Sequence, residues 1–73
     1  MEYYYNGKNY LIIEGIDPIT KGRFEIYTIY LVEGDRLKYI NYFYFGGDGL
    51  NGLNNNDIEE LKETCRHYIN NNN

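Results

Sequence analysis

Seventy-three residues make one small domain, 1–73, with no room for a second core, which excludes a multidomain enzyme. Seven Lys and Arg against eleven Asp and Glu give a formal net charge of −4, which opposes the phosphate neutralisation that drives duplex DNA binding. Ten Tyr and eleven Asn stand against no Ala, Ser, Gln or Trp, a bias toward A/T-rich codons that points to a low-GC genome such as that of a phage, plasmid or Firmicute.

No apolar run approaches the ~20 residues of a membrane span, and Met1-Glu2-Tyr3-Tyr4-Tyr5 lacks the basic start and apolar middle of a signal peptide. A cytoplasmic location is expected, that of the host if the protein is viral. The single Cys65 fits a reducing compartment and precludes an intrachain disulfide.

Asn6-Gly7 between two β-prone runs is a strong hairpin signal, so strands are expected at about 2–5 and 8–14. The stretch 15–22 holds Asp17-Pro18 and reads as a longer connection, because Pro fixes its own φ and pushes the preceding residue out of the helical region. Strands at about 23–33 and 36–45 flank Gly34-Asp35, where Gly in first place suits a type II′ turn. A two-residue turn dictates the register. Glu33 then faces Arg36, and counting back pairs Val32 with Leu37, Tyr30 with Tyr39, Thr28 with Asn41, Ile26 with Phe43 and Phe24 with Phe45 on one face. The other face pairs Leu31 with Lys38, Ile29 with Ile40, Tyr27 with Tyr42 and Glu25 with Tyr44.

Residues 46–56 contain four Gly and four Asn and read as a flexible loop. A helix is expected at about 57–69. Asn56 or Asp57 would cap it, with Glu60 as the capping-box partner of Asp57. Ile58, Leu61, Cys65, Tyr68 and Ile69 share one arc, and Glu59, Glu60, Glu63, Arg66 and His67 lie opposite. Residues 70–73 should fray.

The expected fold is therefore α+β, a four-stranded antiparallel meander with one C-terminal helix packed on one face. The helix is assigned to the more apolar face, that of Phe24, Ile26, Tyr30, Val32, Leu37, Tyr39, Phe43 and Phe45. Tyr27, Ile29, Leu31, Ile40, Tyr42 and Tyr44 would then form an open apolar patch, the candidate partner interface, since monomers rarely leave such a patch bare.

Other candidates are weaker. Gly47-Asp48-Gly49-Leu50-Asn51-Gly52 fits G-x-G-x-x-G, but the glycines do not lead into a helix within a parallel βαβ unit, as a dinucleotide site requires. Leu50 stands where an EF-hand loop needs a second oxygen ligand after Asp48. Cys65 and His67, two apart on a helix, point about 200° from each other and cannot act together. With no Ser, three Thr and one His, no activated nucleophile can be assembled, so neither catalysis nor a cofactor nor a metal is expected. Asp57, Glu59, Glu60 and Glu63 form an acidic helix face, either a solvated surface or a mimic of nucleic acid that occupies a basic groove.

These features lead to the expectation of a non-enzymatic protein-binding module, regulatory or inhibitory, that docks on a host protein or on itself. In size, charge and codon bias the chain is similar to small acidic phage proteins that inhibit host defence, such as anti-CRISPR proteins, a resemblance that covers no motif. Two alternatives remain: a single-stranded nucleic-acid binder that stacks bases on tyrosines, with Arg36 and Lys38 for phosphates, and a self-associating structural subunit that pairs open faces as a homodimer.

Overall fold

The computed structural model describes residues 1–16, 19, 24–46 and 49–71. The expected Asp17-Pro18 connection, Arg23, Gly47, Asp48 and the end of the Asn tail lie outside the described residues.

Four strands follow one another as an antiparallel sheet of order β1-β2-β3-β4, and one helix follows them. β1 (Glu2–Tyr5) and β2 (Lys8–Ile16) are joined by Asn6-Gly7, whose φ angles of 53° and 79° are the two left-handed values that a type I′ turn demands. The Met1 ammonium donates to the Ile12 carbonyl at 2.7 Å and Ile12 N–H donates back to Met1 at 2.8 Å, which continues the ladder to the first residue.

β3 (Phe24–Glu33) turns into β4 (Arg36–Tyr44) through Gly34, with φ 63°, as a type II′ turn needs in its first place. The turn-dictated register holds from Glu33 with Arg36 to Tyr30 with Tyr39 and then breaks. Between Ile29 and Tyr30 it shifts by one, so Ile29 faces Asn41, Thr28 faces Tyr42, Tyr27 faces Phe43 and Ile26 faces Tyr44. Ile40 is the extra residue of a β-bulge. Because side chains alternate with period two, one inserted residue moves everything beyond it to the opposite face. Phe43 thus joins Tyr27, while Tyr42 and Tyr44 join Thr28 and Ile26.

The helix α1 spans Asn55–Asn70, two residues earlier than expected. Asn54 is the N-cap: its side chain accepts from Asp57 N–H at 2.9 Å, and the Asp57 carboxylate accepts from Asn54 N–H at 3.2 Å. Asp57 is therefore the partner in the capping box rather than its cap, and Glu60 has no part in it. At the other end Asn70 is still helical and Asn71 closes the last turn onto the His67 carbonyl at 3.1 Å.

The apolar arc of α1 buries Leu61, Cys65 and Ile69 against Tyr3, Tyr10, Ile12, Tyr27, Ile29 and Phe43. Each fully buried aliphatic in this set, Ile12, Ile29 and Leu61, contributes roughly 1.5–3 kcal/mol. Aromatic stacking extends the contact, with Tyr27 on Phe43 at 5.8 Å and Phe43 on Tyr68 at 5.5 Å between ring centres. Arg66 donates to the Tyr3 hydroxyl at 3.1 Å and the Tyr5 hydroxyl donates to Asn70 at 3.0 Å, which ties the helix to the edge strand β1.

Candidate functional site

The helix covers the opposite face from the one expected. Tyr27 and Ile29 are fully buried beneath it, and Leu31 and Ile40 pack half-buried at its margin. These four are core, not interface. The physical reason is the agreement of all four strands. Tyr3, Tyr10 and Ile12 share the side of Tyr27 and Ile29, and the bulge adds Phe43, so six large side chains converge there. Of the six candidate interface residues only Tyr42 and Tyr44 remain outside, 49% and 55% exposed.

Those two belong to a different patch, on the face that was expected to be covered. Cross-strand rows define it. Leu11, Tyr30 and Tyr39 stand side by side, as do Ile13, Thr28 and Tyr42, and Tyr44 follows opposite Ile26. Tyr4 at 70% exposure and Tyr39 at 53% mark its two edges. Val32 and Leu37 add further exposed apolar surface, whereas a second register shift, opposite Gly15 and Ile16, takes Phe24 off this face toward Gly49 and Glu14. Tyr30 meets Tyr39 edge to face at 6.3 Å, and Tyr42 meets Tyr44 likewise at 6.2 Å, two ring pairs on the same face. Tyr4, Asn9, Leu11, Val32 and Leu37 line a shallow groove at one end of this face.

Charge is distributed unevenly between the faces. By strand alternation Glu2 is the one charged side chain that β1 to β4 place on the uncovered face among the described residues. Lys8 and Lys38 open instead into a pocket on the helix side, with Tyr5, Ile40, Ile69 and Asn70. Arg36 shares the helix-side parity of Glu33 at the turn.

The acidic side of α1 is spread among several tasks. Asp57 is held in the capping box, Glu59 lies 3.6 Å from Lys62, and Glu60 and Glu63 are exposed. His67 is exposed and its Nδ1 lies 3.3 Å from the Asn71 amide, while Cys65 is fully buried on the other side of the helix. Burial pushes the Cys65 thiol up to about 12, far from the thiolate that a nucleophile needs. Among the described residues no cluster of three or more His, Cys, Asp or Glu could hold a metal ion.

Among the described residues of the glycine loop, a regular turn stands where none was expected. Leu50–Gly52 form a 3₁₀ turn, and Glu14 Oε2 accepts from Leu50 N–H at 2.6 Å. Gly49 approaches so closely that a Cβ there would lie 2.7 Å from Glu14 Oε2 and 3.2 Å from Phe24 Cβ. Its φ of 75° and ψ of 179° are open essentially to glycine alone. A carboxylate of the protein itself thus occupies one backbone donor of the glycine motif, Leu50 N–H.

No helix among the described residues is long and apolar enough to cross a membrane. Compared with known proteins, the chain matches no family, no curated protein and no solved structure.

Proposed function

We propose that this chain is a non-enzymatic protein-binding module that docks through the uncovered face of its sheet. The observation that carries the reading is the contiguous array of exposed Tyr4, Tyr39, Tyr42 and Tyr44 with Val32 and Leu37, a composition enriched in interface cores and costly to leave in water. Tyrosine supplies area, a hydroxyl that tolerates a wet rim, and little rotamer entropy to lose.

Two observations favour a protein over a single-stranded nucleic acid. The face carries Glu2 and none of the described lysines, and Lys8 and Lys38 line a pocket on the opposite side of the sheet. A strand-binding platform needs cations beside its stacking rings. A buried thiol at Cys65 and an exposed His67 on opposite sides of α1 support the non-enzymatic part of the reading.

The test is site-specific photo-crosslinking in the cells that make the protein. A photoreactive residue replacing Tyr39 or Tyr44 is expected to yield protein adducts, of this chain with itself or with another. The same residue replacing Glu63 on the exposed side of α1 is the control. Adducts from position 63 alone, or cross-links to nucleic acid alone, would overturn the proposal.

A further inference from the structure

We infer that the occupant of the uncovered face is a second copy of this chain, packed sheet to sheet about a twofold axis. The inference rests on the docking reading above and adds the identity of the partner. Three properties of the fold carry it.

The first is area. With roughly 200 Å² per aromatic side chain, the exposed fractions of Tyr4, Tyr39, Tyr42 and Tyr44 leave about 450 Å² of aromatic surface in water. Ile13, Val32 and Leu37, each more than a third exposed, bring the face to the order of the ~800 Å² per partner that a standard stable interface buries.

The second is charge. Two copies of a chain with net charge −4 repel, so a self-interface must keep its acidic groups away from the contact. Here Glu59, Glu60 and Glu63 sit on the exposed side of α1, which covers the other face of the sheet. With ~10 Å between stacked sheets and a further ~10 Å to each helix, sheet-to-sheet packing holds the two helices about 30 Å apart. That separation is several times the ~8 Å over which physiological salt screens charge. An isologous contact cannot match an acidic patch with a basic one unless it carries both, and this face carries almost neither; apolar and tyrosyl surface is complementary to itself.

The third is the state of the edges. β1 has four residues, and β4 carries Arg36, Lys38 and the bulge at Ile40, all of which discourage strand-to-strand addition. Association is thereby directed from the edges to the face.

Sedimentation velocity on the purified full chain tests the inference, run from micromolar to high micromolar concentration at low and high salt. The expected species is about 17 kDa, twice the 8.7 kDa chain, and high salt should hold or strengthen it because screening removes repulsion while no ion pair is lost. Tyr39→Glu with Tyr42→Glu should halve the mass while the circular dichroism spectrum is retained, and Glu63→Lys should leave the dimer intact. A wild-type chain that stays at the monomer mass throughout would overturn the second copy, as would a dimer that survives the double substitution or dissociates in high salt. If the wild type is monomeric while positions 39 and 44 cross-link to another protein in cells, docking stands and only the identity of the partner falls. If neither occurs, both fall.

Discussion

Substitution at Tyr27 separates a core residue from an interface residue, and the two exchanges available there act in opposite directions. The ring is fully buried between Phe43, stacked at 5.8 Å, and Phe45, edge-on at 6.2 Å, beneath the helix. Its hydroxyl is buried with no hydrogen-bond partner among the described residues. Truncating a buried aromatic to Ala costs about 3–5 kcal/mol. A domain of this size has only about 4–11 kcal/mol in total at the usual stability per residue. Tyr27→Ala should therefore remove most or all of the folded population. Tyr27→Phe keeps the packing and deletes an unsatisfied polar group whose burial costs about 1–3 kcal/mol, so it should raise stability by roughly 1–2 kcal/mol. Tyr42→Ala, on the uncovered face, should cost under about 1 kcal/mol. Urea denaturation at neutral pH and one fixed, dilute concentration measures all three, the dilution keeping any dimer from contributing. A Tyr27→Phe variant less stable than wild type, or a well-folded Tyr27→Ala variant, would refute the placement of the helix on this face.

Three further outcomes follow from the same geometry. Gly49→Ala should destabilise by about 1–3 kcal/mol, from its glycine-only backbone conformation and the approach to Glu14, and Glu14→Gln should speed hydrogen exchange at the Leu50 amide, both readable by denaturation and NMR. Asn54→Ala should cost about 1 kcal/mol by removing the cap of α1, seen as a lower urea midpoint with unchanged slope. Burial raises Cys65 from 9.0 to about 12, burial also raises Tyr10, and burial with the Glu14 charge raises Tyr27, so the fold favours their neutral protonated forms. The Cys65 contribution is fully present below about pH 9 and is lost as the pH rises from there toward about 12, at no more than ~1.4 kcal/mol per pH unit, and Tyr10 and Tyr27 act in the same direction. Stability measured against pH should fall over that alkaline range, less steeply in Cys65→Val, and the native thiol should stay inert to disulfide reagents at pH 8 until denaturant is added.

Local chemistry made most of this fold legible. Asn6-Gly7 and Gly34-Asp35 set both tight turns, because each demands backbone conformations that few residues supply. The apolar spacing of Leu61, Cys65 and Ile69 set the helix and its buried side. What stayed hidden was non-local. Nothing in Tyr39-Ile40-Asn41 marks a bulge, yet its one extra residue decides that Phe43 points inward and Tyr42 and Tyr44 outward. Weighing the β3–β4 hairpin by itself favoured the face of Phe24 and Tyr30, whereas the helix settles where Tyr3, Tyr10 and Ile12 of the other hairpin add their bulk. The glycine loop escaped for a similar reason, since its anchor, Glu14, lies 36 residues away in sequence.

Hydroxyl-radical footprinting of the tyrosines tests the central claim most directly, comparing oxidation in the producing cells with oxidation of the purified chain at high dilution. In dilute solution Tyr4, Tyr39, Tyr42 and Tyr44 should be modified while Tyr3, Tyr10 and Tyr27 are spared, as their burial requires. In cells the exposed set should become protected and the buried set should not change. Face tyrosines that oxidise equally in both states, or protection confined to the exposed residues of α1, would contradict docking through the open sheet.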